Sequence, residues 1–238
     1  PEAISGIMSQ LAEKNHLTIY TASTGLDYVG KSLGSPSFFV AEKPNMAILV
    51  GDGVRSYDAG EIWHLMDQRY EIPLTLLPVE SVGGADLERY NVILMVRGRY
   101  SSLQESARDK LRRWVREGGT LIAFGDALSY LNGVGLGNFE FNSPNKSDST
   151  NQRPYALLSE TRGAQEIGGS IFRTRADLTH PLLYGYYNET LPLFKNDENF
   201  LTPASNPFAN PLMFTYDPLM SGYISDTNAK AISNSSAL

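Results

Sequence analysis

Four short stretches hold residue types that could do chemistry. Gly51-Asp52-Gly53-Val54-Arg55-Ser56 begins like G-x-G-x-x-G, whose glycines let backbone approach a pyrophosphate at a helix N-terminus. Ser56 stands where the last glycine belongs, and the first capping signal, Asp58 with Glu61, comes later. The spacing favours a tight turn over a nucleotide loop. Gly125-Asp126-Ala127-Leu128-Ser129 sits at a strand-to-helix turn, where hydrolases hold a nucleophile. A G-x-S-x-G or G-x-C-x-G match needs Ser or Cys at 127, and Ala127 is there. Asp126 is a carboxylate nucleophile in principle, with Glu61 or His64 as base. As a helix N-cap it needs no reaction at all, and that is the simpler reading. His64-Leu65-Met66-Asp67 and distant His180 spell H-x-x-D…H. A catalytic zinc needs three converging ligands, and apolar residues surround His64 on an amphipathic helix, so zinc is not assigned here. Finally, Arg97-Gly98-Arg99 places two cations around a glycine.

These stretches follow apolar runs: Ala47–Val50, Val92–Val96 and Leu121–Phe124. A short unbroken apolar run between turn residues suits a strand buried on both faces of a parallel sheet. Ligands of such sheets sit outside the carboxyl ends of the strands. Asp52, Gly53, Arg55, Arg97, Arg99 and Asp126 therefore form one candidate pocket for a sugar or a carboxylate. The same charges could instead neutralise one another as a surface ion-pair cluster, which contributes little. The sequence weighs toward the second.

The elements that position them follow from periodicity. Ile4, Ile7, Met8 and Leu11 mark an amphipathic helix over 2–14, and His16 at its exit reads as a surface or capping residue. Leu17–Thr21 reads as a short strand, and 22–43 as a connecting segment rich in Gly, Ser and Pro. After the Met46 strand, Asp58 and Glu61 open a helix bearing Ile62, Leu65 and Met66. Strands are expected at Leu74–Val79, Asn91–Val96 and Thr120–Phe124. Ser102 and Glu105 form a capping box for a helix with Leu103, Ala107, Leu111, Trp114 and Val115 inward, stopped by Gly118-Gly119. Another helix starts at Asp126. This alternation predicts an α/β, doubly wound, mostly parallel sheet.

Residues 132–170 read as long surface loops. Short apolar pieces at Gly169–Arg173, Leu191–Phe194, Leu212–Tyr216 and Met220–Ser225, punctuated by prolines, read as a strand extension of the sheet under covering loops. The ending AISNSSAL offers no closing strand or helix, so the domain reads as truncated there. The sequons at Asn145, Asn188 and Asn234 fit surface loops.

The chain has 238 residues, 42% hydrophobic and 19% charged, enough for one sizeable core. Twenty basic against 26 acidic side chains leave −6, which argues against nucleic acid or an anionic membrane as main partner. Without cysteine there is no disulfide, thiolate metal site or cysteine nucleophile. No apolar run approaches the ~20 residues of a membrane helix. The chain opens on Pro1 with no signal peptide, and reads as part of a longer polypeptide.

The segments KPNMAILVGDGVRSYDAGEIWHLMDQRYEIPLTLL, WVREGGTLIAFGDAL and GSIFRTRADLTHPLLYGY together resemble the class I glutamine-amidotransferase-like domain. More narrowly, the chain is similar to the copy that follows the catalytic domain of secreted bacterial M14 zinc carboxypeptidases. The resemblance covers about residues 15–238. It implies a flavodoxin-like three-layer fold, a secreted or periplasmic address, and a parent that trims peptide C-termini with zinc. It implies that 1–43 connects to an upstream peptidase domain and that 44–238 is the amidotransferase-like domain. Zinc is expected in that upstream domain, with no cofactor in this chain. No H-x-x-E occurs, the elbow cysteine is missing, and His180 is followed by Pro181-Leu182, so no ligand or catalytic residue carries over. The expectation is a non-catalytic accessory domain supporting the peptidase or contacting its peptide. Alternatives are a small-ligand module at the sheet's switch point, or a residual hydrolase using Asp126.

Overall fold

A computed structural model describes residues 2–15, 18–38, 42–142 and 152–238. The chain divides into two units, Pro1–Lys43 and Pro44–Leu238. In the first, helix α1 spans Glu2–Asn15, as its periodicity predicts, but buries none of its residues. Ile4 and Ile7 are mostly exposed. Residues 18–38 hold neither strand nor helix, so the strand expected at Leu17–Thr21 does not form over its described part. His16 and Leu17 lie outside the described residues, as does Asn145.

The second unit is α/β. Strands β1 (Met46–Val50), β2 (Leu74–Pro78), β3 (Val92–Met95) and β4 (Thr120–Ala123) form an all-parallel sheet in the order β2-β1-β3-β4. Helix α2 (Ser56–His64, continued by a wider turn Leu65–Arg69) follows β1. Helix α3 (Glu105–Arg116) joins β3 to β4, and α4 (Asp126–Gly133) follows β4. Between β2 and β3 the crossover holds only the short turns Val79–Ser81 and Leu87–Arg89, where strict alternation would put a helix.

The reason β1 reads as an unbroken apolar run is visible in its packing. Ala47 and Leu49 enter one core with Ile93 and Met95 of β3, Leu111 and Trp114 of α3, and Ala127 and Leu131 of α4. Met46 and Ile48 enter another with Leu94, Ala59 of α2 and, more loosely, Ile62 and Met66. Helices therefore cover both faces, and a strand between them cannot alternate polar with apolar.

Local signals were partly misleading. Helix α2 starts at Ser56, with Arg55 in the N-cap position and no side-chain cap, so Asp58 lies within the first turn rather than ahead of the helix. Gln104, not Ser102, precedes α3, and the buried Ser102 hydroxyl has no partner among the described residues. Ala107, Leu111 and Trp114 are buried as expected, whereas Val115 is over a third exposed. Gly118, at φ 107°, ends the helix while its N–H and that of Gly119 bond back to Val115 and Trp114.

The C-terminal half corrects the expected strand extension. Strands β5 (Ser170–Ala176), β6 (Thr190–Lys195) and β7 (Leu212–Ser221) form a separate antiparallel sheet in the order β6-β5-β7. The buried-exposed alternation of β5 is that of a sheet with one covered face. The piece at Leu212–Tyr216 and the first two residues of Met220–Ser225 belong to one bulged strand, and the rest of the second piece lies beyond it. A short helix α5 (Leu158–Gly163) precedes this sheet. Helix α6 (Asp226–Ile232), capped by Ser225, takes in the first two residues of AISNSSAL, and Ser236 beyond it bridges to Leu201 and Met213. Ile232 joins Phe172, Phe200 and Phe214 in the core of this half.

Candidate functional site at the carboxyl ends of the parallel strands

In the order β2-β1-β3-β4 the chain leaves β1 toward β2 on one side and β3 on the other, so the crevice opens beyond β1 and β3. The turns that leave these strands are stitched together. Val54 and Gly98 form an isolated bridge, the Arg55 N–H donates to the Arg97 carbonyl at 2.9 Å, and the Arg99 N–H donates to the Gly53 carbonyl at 2.9 Å. A Cβ at Gly98 would stand 2.8 Å from the Gly53 carbonyl oxygen and 3.1 Å from Val54 Cα, so only glycine allows this approach. The β4 turn joins them: Asp126 accepts the Gly98 N–H at 2.9 Å. The structure thus gathers Asp52, Gly53, Arg55, Arg97, Arg99 and Asp126 around the same strand ends, but they do not act alike.

Arg97 is half-buried and committed. Its Nε lies 3.8 Å from Asp58, its Nη2 3.4 Å from Asp197, and Nη2 also donates to the Asn196 side-chain carbonyl. Asn196 and Asp197 follow β6 of the antiparallel sheet. Lys195 pairs with Asp197, and the Asn199 N–H donates to the same carboxylate. The guanidinium where a ligand would be met therefore ties one sheet to the other. Arg55, Arg99 and Asp52 are exposed and make no ion pair among the described residues. The mutual ion-pair cluster expected of Asp52, Arg55, Arg97 and Arg99 does not form among the described residues: only Arg97 is paired, and with Asp58 and Asp197. Asp58, Asn196 and Asp197 escaped sequence reasoning because the last two are about a hundred residues from Arg97, and nothing local marks them.

Gly125 supplies the sharp elbow. At φ 56° and ψ −127° it occupies a conformation that side chains rarely adopt, and a Cβ there would lie 2.6 Å from Arg97 Cγ. The strained position of a nucleophile-bearing turn is thus Gly125, not Ala127, and it bears no side chain. Ala127 is fully buried in the core. Asp126 is the first residue of α4, not its cap, because its carboxylate faces the Gly98 N–H. Glu61 and His64 belong to α2 and its sheet face, opposite the face covered by α4, so the arrangement gives Asp126 neither as a base.

Beneath the crevice lies Tyr100, fully buried, with φ 50° and its hydroxyl donating to the Val96 carbonyl at 2.6 Å. Burial pushes its phenol far above the ordinary tyrosine range, and the charges of Asp126 and Asp58 add to this. Its ring meets Tyr130 at 5.5 Å. A shallow apolar cleft of about 290 Å³ opens beside β1, walled by Val50, Val54, Ala59, Trp63 and Leu76.

His180 accepts the Leu182 N–H through Nδ1, a local turn contact. Among the described residues no three His, Asp or Glu side chains gather to hold a metal ion. No helix among them is long and apolar enough to cross a membrane.

The composition of the connecting segment hides one further spacing. Gly25 to Ser32 spells G-x-x-x-x-G-K-S, the phosphate-loop pattern, which requires a strand before it and a helix after it. Neither is present. The amides of Val29 and Gly30 instead donate to the Asp27 carboxylate at 2.9 and 3.0 Å. These two bonds, led by Gly30, hold its pKa below the usual carboxylate value. An anionic phosphate would have to displace a fixed anion, so the match is one of spelling.

No family model matches the chain, and no curated protein matches it.

Proposed function

We propose that this chain is a catalytically silent, amidotransferase-like module of flavodoxin-like fold. Its role is to support or contact a zinc carboxypeptidase domain of the same exported polypeptide. The reading rests on the sequence resemblance and is supported by one feature above all: the half-buried cation of the crevice is already held by the protein's own groups. Arg97 is held by Asp58, Asn196 and Asp197, and the elbow residue Gly125 carries no side chain. Covalent hydrolysis of the elbow type needs a nucleophile with a base within hydrogen-bond reach, and the described residues of the crevice offer Asp126 no such base. The strand order β2-β1-β3-β4 supports the flavodoxin-like assignment, since that fold runs 2-1-3-4-5. Zinc and peptide hydrolysis belong, in this proposal, to the partner domain.

The test has two arms. Purified chain is assayed for glutaminase, esterase and peptidase turnover, and none is expected. Turnover lost in Asp126→Ala would overturn the silent reading. A zinc carboxypeptidase domain, expressed separately, is then titrated with the chain in a calorimeter. Saturable heat is expected, and no heat at any accessible concentration removes the accessory role.

A second reading has its own support. Arg55 and Arg99 are exposed at the crevice mouth without counter-ions among the described residues, and a small carboxylate or acidic sugar would suit them. Thermal-shift screening with such anions reads this directly, because a ligand that binds the native state alone stabilises it.

A further inference from the structure

Strand β5 leaves the antiparallel sheet between the starts of its two neighbours. The Ala176 N–H donates to the Glu189 carbonyl at 2.7 Å and the Asp177 N–H to the Pro211 carbonyl at 2.8 Å, so the three chain ends lie side by side. Between them and the turn Asp177–Thr179 opens a cavity of about 400 Å³ that shares no residue with the crevice of the parallel sheet. Ligand pockets run from about 300 to 1,000 Å³, so this one is sized for a small molecule.

Part of its polar lining is spent internally. The Asn210 side-chain amide serves Ala204 and Asn206. Thr179 gives its N–H and its hydroxyl to one oxygen of the Asp177 carboxylate, at 3.0 and 2.6 Å. The charges are not spent. Arg175 is an outward residue of β5, aligned with Thr190 of β6 and Met213 of β7. Its guanidinium has no ion pair or hydrogen bond among the described residues, and it does not pair with Glu189 across the same cavity. The Glu189 carboxylate and the second oxygen of Asp177 are likewise without a partner among them. One free cation and two free carboxylate oxygens therefore face one small space.

We infer that this cavity binds a free α-amino acid with an apolar side chain. The ligand's carboxylate meets the Arg175 guanidinium, whose planar fork matches two oxygens, and its ammonium meets Glu189 and the open oxygen of Asp177. Its side chain lies against Leu178, Pro211 and Met213 of the same lining. A simple anion would face two carboxylates and a simple cation would face Arg175, and like charges brought together cost affinity. A molecule that carries both charges finds each of them met. The inference is independent of the accessory role and of the anion reading at the crevice.

Titration of the whole chain with L-leucine, followed by two-dimensional NMR, tests it. Saturable shifts are expected at the amides of Asp177, Thr179 and Glu189. N-acetyl-L-leucine lacks the ammonium and L-leucinamide lacks the carboxylate, and each should bind at least about tenfold more weakly. Arg175→Gln and Glu189→Gln, both at exposed positions, should each weaken L-leucine by a similar factor, and the same spectra show that each variant is folded. Arg173→Gln, on the same sheet face but outside the cavity, should leave binding unaltered. No saturable shift with L-leucine at millimolar concentration would overturn the inference. So would L-leucine binding that survives both cavity substitutions. N-acetyl-L-leucine binding as tightly as L-leucine would make this a plain anion site and overturn it as well.

Discussion

Replacing Arg97 by alanine removes the one side chain that joins Asp58, Asn196 and Asp197. The side chains of Arg97, Asp58 and Asp197 are 21%, 25% and 22% exposed, between a surface pair and a buried one. A hydrogen bond from a charged donor is worth about 1.5–3 kcal/mol, and a half-exposed ion pair adds about 0.5 kcal/mol. Asn196 and the two carboxylates regain some water on truncation, which offsets part of this. The expected loss is about 2–3 kcal/mol, or roughly 5–10 °C in Tm for a unit of this size. Urea unfolding read by far-UV circular dichroism measures it. Arg55→Ala and Arg99→Ala, which remove exposed cations from the same crevice, should stay within about 0.5 kcal/mol. Asp197→Asn combined with Arg97→Ala should cost less than the two single changes summed, because both remove the same contact. If Arg97→Ala unfolds like the parent, or if Arg55→Ala costs as much, the idea that Arg97 joins the two sheets is wrong.

Three further outcomes follow from particular contacts. Gly125→Ser forces a side chain into φ 56° and toward Arg97, so it should destabilise by about 1–3 kcal/mol and bring no ester hydrolysis; a stable, hydrolysing variant would refute the silent elbow. Gly119→Ala places a Cβ 2.3 Å from the Trp114 ring, so it should shift tryptophan emission and weaken the bond from Trp114 Nε1 to Tyr90, whereas Gly118→Ala, strained but unobstructed, should destabilise without that shift. Tyr100 holds its proton more tightly folded than unfolded, so its stabilisation is complete below the ordinary tyrosine pKa of about 10 and is lost as pH rises above it; urea midpoints between neutral and strongly alkaline pH should fall, and fall less in Tyr100→Phe.

The sequence alone determined the elements whose information is local. A short unbroken apolar run between turns suits a strand buried on both faces, and β1, β3 and β4 lie where those runs do. The stop at Gly118 and the gathering of Asp52, Arg97 and Asp126 at the strand ends followed from the same logic, since parallel strands bring their carboxyl ends together. Helix caps were less legible. Asp58 and Ser102 have the right types to cap, yet Asp58 is drawn to Arg97 and Ser102 caps nothing. Only the tertiary structure decided that β5, β6 and β7 form a sheet of their own, because short strands carry no signal of which edge they will meet. It also decided the fate of the crevice. In sequence Arg97 reads as paired with the acids of its own strand ends; two of its actual partners, Asn196 and Asp197, lie about a hundred residues away, and chain folding alone brings them to it. The elbow turn is legible in sequence, but its strained position reads as 127 until the dihedral angles place it at Gly125. Patterns within one turn of chain are fixed by local sterics and burial, whereas the pairing of distant charges depends on the packed fold, and that pairing is what engages Arg97.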